Sequence, residues 1–431
     1  MKLETVKSFV LLGLVGLSLL LTLAIWTYQP KYETLDERSY INDTKLNGKE
    51  EAIKTIIEPL AIMFHYNDAD YGFKSKSEEK KLYQAMQEWS LYEFNQQSGE
   101  GVPDTKEKVE VIFPEMLPTE VIGSLFKVEN SDSLPNGSFD RIYILLNDQT
   151  NIEIQFYNTS SDQKVVANIQ RTNVYDQLKE YMGDDTLLKP YLVYENNSDI
   201  PIYYPQGEIE MFRSTIQARQ IDQEPLKNAL FIDPTLVKQN PLGDGAISYN
   251  DTTRQMKISP NGKSMEFTNP SNTEDFQMAP IQVITASLDF VNDHKGWTDE
   301  YNFFEMSQNQ ITYRLFYNGM PVFDSNRLGD LTTIQLRNQD EFQYNRPMFS
   351  LKTRVGSKEG IEELDSDDVS EFLAKTNTNV QGITIGYKIS EQPYNIFSLE
   401  PAWYIKTNNK WKELDELVIK KGGREDALGT S

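Results

Sequence analysis

The chain has 431 residues with 42 Lys and Arg against 65 Asp and Glu, a formal net charge of −23. That balance argues against a nucleic-acid partner and against adsorption to an anionic lipid surface, both of which would repel it. There is no cysteine, which excludes a lipoprotein anchor and a disulfide framework.

The first element is SFVLLGLVGLSLLLTLAIWTYQP. Ser8 to Tyr28 are 21 uncharged residues, and a helix of that length spans roughly 31 Å, a full bilayer core. No small-x-small cleavage site follows the apolar run, so it is expected to persist as a transmembrane helix. Mean hydropathy of the whole chain is −0.55. With no second long apolar run, a single-pass protein with one large polar part is predicted. Positive charge decides orientation weakly, Lys2 and Lys7 on one side against Lys31 and Arg38 on the other. The short leading tail places the N-terminus in the cytoplasm and residues 29–431 outside it. Within the helix, Ser18, Thr22 and Trp26 share one stripe. Small and hydroxylated residues so arranged permit interhelical hydrogen bonds worth about 0.6 kcal/mol each, although serine and threonine also bond back to their own helix. Trp26 and Tyr28 stand where interfacial aromatics belong.

KYETLDERSYINDTKLNGKE, after Pro30, reads as a stalk or linker. Ile53, Ile56, Ile57, Leu60, Ala61 and Phe64 repeat at helical spacing, and SEEKKLYQAMQEWSLYEFNQQ predicts a second helix with Leu82, Met86, Trp89 and Phe94 buried. VEVIF, RIYILLND, NIEIQFYN and KVVANI follow as antiparallel strands, then NVYDQLKEYM as a helix. Pro190 and ENNSDIP mark a boundary. Beyond it come the strand GEIEMFRSTIQA, a short helix in EPLKNALFID started by Pro225, and a hairpin turning at Asn261-Gly262. PIQVITASLDFVN has a helical period, a second hairpin turns at Asn318-Gly319, Asp365 or Ser366 caps a helix near VSEFLAKT, and a last hairpin turns at Asn408-Asn409. The three hairpins are either marks of two related modules or ordinary hairpins in unrelated domains.

The predicted class is α+β: a transmembrane helix, then a multi-domain extracytoplasmic region that opens helical and continues as antiparallel sheets with packed helices. The predicted segments are 1–30 (cytoplasmic tip and anchor), 31–190, 191–295 and 296–431.

Motifs for catalysis are few. HExxH, GxSxG and the phosphate loop GxxxxGK[ST] do not occur. Ser77 to Lys80 and Ser161 to Lys164 match SxxK without the partner motifs that chemistry requires. His65, in MFHYNDADYG, invites a metal reading, but the register from Asp68 puts Gly72 at the fifth position and no acid at the twelfth. A helix end followed by an Asx-rich turn accounts for it. His294 follows a helix whose C-terminal carbonyls it can meet. Trp89, Trp297, Trp403 and Trp411 sit in apolar patterns that suit core packing. No catalytic, metal or cofactor-binding residue is assigned, although a carboxylate pair among 65 acids leaves an anchored wall-active hydrolase as an alternative.

LSLLLTLAIWTYQPKYE, KNALFIDPTLV, YNDTTRQMKI with MEFTNP, YRLFYNGMPVF and LEPAWYIKTNNKW resemble the YycH (WalH) family along essentially the whole chain. The resemblance implies a non-enzymatic, single-pass regulator of the sensor kinase WalK (YycG) in the cell-wall two-component system of low-GC Gram-positive bacteria. It implies work alongside the related YycI through transmembrane contacts, and three extracytoplasmic domains, the last two alike. On this reading Ser18, Thr22 and Trp26 face the kinase or YycI helix, residues 8–28 meet lipid, and self-association stays open. A sensor of a wall-derived ligand is a further alternative.

Overall fold

The computed structural model describes residues 18, 44–99, 101–129, 134–147, 152–170, 173–195, 200–270, 277–324, 330–337, 340–354 and 359–418. Residues up to Asp43 form one unit, in which only Ser18 is described, and those from Thr44 onward form another.

The second unit carries two sheets. The first is built from β1 (Ala61–Tyr66), β2 (Ala69–Phe73), β3 (Ser90–Ser98), β4 (Lys108–Pro118), β5 (Lys127–Val128), β6 (Ser138–Leu145), β7 (Glu153–Asn158), β8 (Gln163–Ile169), β9 (Leu188–Tyr194) and β10 (Ile202–Pro205). Their order is β10-β9-β2-β1-β4-β6-β7-β8-β3-β5, antiparallel except for β3 with β5. The second sheet starts with the 13-residue β11 (Glu208–Gln220) and ends with β23 (Val380–Gln392), β24 (Ile396–Thr407) and β25 (Lys410–Glu413) where the chain is last described as strand. Strands on both sides of residue 296 belong to it. Helices pack on these sheets, among them α1 (Ile53–Ile56), α2 (Lys76–Met86), α3 (Ile122–Leu125), α4 (Val174–Met182), α5 (Gln223–Leu230), α6 (Pro280–Asp293) and α7 (Ser366–Lys375). The class is therefore α+β, as its pattern of period-2 and period-3.6 segments predicts.

Several turns follow residue chemistry closely. At Asn318-Gly319 and Asn408-Asn409 both central residues take positive φ, and Tyr317 pairs with Met320 and Thr407 with Lys410. These are two-residue hairpins whose twist matches the strands. Asn261-Gly262 differs: only Gly262 has positive φ. Pro260 fixes its own φ near −65° and so sets the first corner of a wider reversal, closed by Gly262 N–H donating to Ser259 O at 2.8 Å. Helix α7 is capped by Asp365, whose carboxylate accepts from Asp367 N–H, and α5 by Asp222, three residues before the expected start at Pro225.

The helical opening is the clearest departure. Only α1 forms, because Glu58-Pro59 cannot continue a helix. Ala61 to Tyr66 become strand β1, which turns back at Asn67-Asp68, both at positive φ. The stretch around His65 is thus a strand end rather than a helix end. Likewise α2 stops at Met86, and Trp89 is buried in the connection while Phe94 lies on β3. Residues 44–50, expected in the stalk, lie against the fold: Leu46 is buried and Lys49 bridges Trp297.

Candidate functional site

Two places concentrate charge where water is scarce. In the first sheet, β1 and β2 put His65 directly across from Asp70, and β4 and β6 put Glu110 across from Tyr143. The Nδ1 of His65 lies 2.5 Å from Asp70 Oδ1 and its Nε2 lies 3.1 Å from Glu110 Oε2. Glu110, wholly buried, also accepts from Tyr203 of β10 at 3.1 Å and from Tyr143 at 3.3 Å, and Arg141 Nη1 stands 3.5 Å away. Burial pulls the His65 imidazole down, but hydrogen bonds to Asp70 and Glu110 outweigh it and the net shift is upward. For Glu110 burial works to raise the carboxyl, and His65 and Arg141 together drive it below its ordinary value. The cluster is a charged pair of cations around a carboxylate, costly to assemble and costlier to break.

In the second sheet, a cleft of about 970 Å³ opens among strand ends and the β24–β25 hairpin. Arg314, on the strand Gln310–Tyr317, pairs with Asp330 and donates to Val322 O at 2.8 Å. Its guanidinium lies 4.3 Å from the ring centres of Phe304 and Phe323, and Tyr404 stacks on Phe323 at 3.9 Å. A cation held between aromatic faces and a carboxylate is a rigid floor. Burial raises the carboxyls of both Asp330 and Glu305, which share this cleft, with Arg314 working against it in each case. Half-buried Trp411 and three lysines, 257, 410 and 412, line it too. Trp411 also borders a cleft of about 360 Å³ that reaches Tyr203 and Arg141 of the first cluster. These groups can bind and orient a polar molecule. Among the described residues, no group of three or more acidic or histidine side chains is arranged to hold a metal ion.

The other histidine is a contrast. His294 caps α6, is buried, and contacts the Tyr344 hydroxyl at 3.2 Å. Burial, with Arg346 nearby, pushes its imidazole down to about 3, against a bond to the Phe290 carbonyl. It meets the helix carbonyls as its position suggests, but as a neutral ring. Trp89, Trp297 and Trp403 are core residues.

Of the residues singled out in the sequence, Ser18 is helical and exposed. Thr22, Trp26 and Tyr28, and the rest of the apolar run 8–28, lie outside the described residues. Among the described residues no helix is long and apolar enough to cross a membrane. The charge clusters escaped sequence reasoning because their members stand far apart in the chain. One signal was available: Glu110 between Val109 and Val111, and Arg141 before Ile142, are charges inside apolar strand runs.

The family model described as "YycH protein, N-terminal domain" matches residues 4–185, and "YycH protein, C-terminal domain" matches 200–423. A curated Bacillus subtilis protein, "Two-component system WalR/WalK regulatory protein YycH", is 22% identical, aligned over 99% of this chain and 100% of its own length. The crystal structure of YycH from Bacillus subtilis superposes with a TM-score of 0.72 at 19% identity, covering 86% of this chain and 99% of that one, which shows a shared fold. These are regulatory proteins rather than enzymes, and the carboxylates of the cleft are read accordingly as structural or ligand-contacting groups. Two family models between them spanning most of the sequence settle its kinship: the chain belongs to the YycH family.

Proposed function

We propose that this chain is a membrane-anchored accessory regulator of the WalK (YycG) sensor histidine kinase, controlling cell-wall metabolism together with YycI. The observation that carries this reading is the end-to-end alignment with a protein named as a WalR/WalK regulator. The 21-residue apolar run Ser8–Tyr28 supports a single-pass anchor in the cell membrane, with the short N-terminus cytoplasmic and the large remainder, with domains at 31–190, 191–295 and 296–431, outside.

A regulator must contact the kinase differently in its two signalling states, because equal binding to both shifts nothing. A tenfold change in activity ratio needs only about 1.4 kcal/mol, within reach of two or three interhelical contacts. In this reading Ser18, Thr22 and Trp26 face the WalK or YycI helix, and Trp26 and Tyr28 set its depth. The test is Ser18→Leu with Thr22→Leu, scored by kinase output and by co-purification with WalK and YycI from membranes. Loss of both is expected; wild-type behaviour of both sinks the contact assignment. The cleft supports a second role, the sensing of a polar wall-derived ligand, because Trp411 beside acids and lysines can hold a sugar or peptide.

A further inference from the structure

The chain does not pass straight from its N-terminal segment into the first sheet. Between Thr44 and Ala52 it is fastened to the turn after α6, roughly 250 residues later in sequence. Leu46 N–H donates to His294 O at 2.8 Å and Lys49 N–H to Trp297 O at 3.1 Å. Asn292 grips the end of this strap with two hydrogen bonds and braces the turn with a third. Its Oδ1 accepts from Glu51 N–H and from Trp297 Nε1, each at 2.8 Å, and its Nδ2 donates to Glu51 O at 2.9 Å. Gly48 is pressed so close that a Cβ there would stand 2.2 Å from Lys295 O. The far side of the turn is held by Arg346, which donates to Gly296 O at 3.0 Å and to Thr298 Oγ1 at 3.1 Å. Arg346 also lines the 970 Å³ cleft.

We propose that the strap 44–52 and the turn 292–298 form a coupling clamp, through which a change in the second sheet and its cleft reaches the strap itself, where the chain enters this unit at Thr44. The two arrangements are strap fastened and strap released. The geometry suits this because one short turn bonds the strap on one side and a cleft residue on the other, with no intervening loop to absorb a shift. Its bearing on signalling rests on the regulator reading given above; the clamp itself does not.

The test uses the full chain in nanodiscs with WalK and two releasing variants. Asn292→Ala removes three hydrogen bonds; Gly48→Val forces the strap off without touching α6. Amide exchange at Leu46, Lys49 and Glu51 is expected to rise at least about thirty-fold in both, while β1 and β4 keep wild-type protection. Kinase output is expected to move to the level given by a chain ending at residue 40. Unchanged exchange at the three amides in both variants overturns the clamp. Faster exchange with wild-type kinase output overturns its signalling role. If the intact chain and its complete deletion give equal kinase output, the regulator reading fails instead, and exchange alone decides the clamp.

Discussion

His65 and His294 are both almost fully buried, yet the fold puts one in a charged site and the other in a neutral one. His65 is wedged between Asp70 and Glu110. His294 has a tyrosine hydroxyl and a helix carbonyl for partners and a guanidinium nearby. The difference teaches that burial alone does not set protonation: the sign of the nearest charge does.

The sharpest break of this comparison is Glu110→Leu. It takes Glu110 from the buried Arg141 and leaves His65 with Asp70 alone, and should cost about 3–5 kcal/mol in urea unfolding at pH 5.5. A loss under about 1 kcal/mol would mean that the cluster is not a buried ion pair.

Next comes the pH dependence, where the two residues pull in opposite directions. The folded-state pKa of His294 is depressed to about 3, so its contribution is full above the unfolded value near 6.5 and is lost as pH falls. The slope approaches about 1.4 kcal/mol per pH unit below 6.5. His65 is raised, so its contribution is full below about 6.5 and is lost as pH rises through the folded value. Glu110 is lowered, and its contribution disappears only as pH falls below about 4.5 toward its folded value. The Glu110 cluster is therefore most stabilising between about 4.5 and 6.5. Ring-proton NMR checks this: His65 should still be protonated at pH 6.5 and His294 neutral at pH 5. His294→Gln should flatten the acid limb of the stability curve and leave the alkaline limb in place.

The smallest effect is expected from Asp70→Asn. Asp70 is partly exposed and Glu110 remains, so the cost at pH 6 should be about 1 kcal/mol or less. The alkaline loss of stability should begin at lower pH. An unmoved alkaline limb would show that Glu110 alone holds the proton.

What the sequence made legible was whatever is local. Asn318-Gly319 and Asn408-Asn409 encode their own backbone angles, and α6 shows its period because Val283, Ile284, Leu288 and Val291 line one buried face. Ile53 to Phe64 also show a helical spacing, but Pro59 overrides it, and Ile62 and Phe64 then serve a strand. The charge cluster was illegible for a different reason. His65 has acids beside it at Asp68 and Asp70, but its second partner, Glu110, is 45 residues away and arrives through the β1–β4 pairing. The strap was hidden likewise, since nothing in TKLNGKE announces a turn 250 residues on, except that Gly48 leaves room for another backbone to approach.

Strand β11 carries a consequence for how the chain is made. It is complete by Gln220, but its neighbours β21 (Phe349–Arg354), β22 (Glu359–Asp365) and β24 all come from the last hundred or so residues; Ser214, for instance, pairs with Leu399. Until the C-terminal end emerges, both edges of β11 are bare hydrogen-bonding surface of the kind that recruits wrong partners. Long-range pairing of this sort is slow to form. During synthesis the second sheet must therefore be kept from closing on anything else, and a chain cut short before Ile396 loses the strand that seals it.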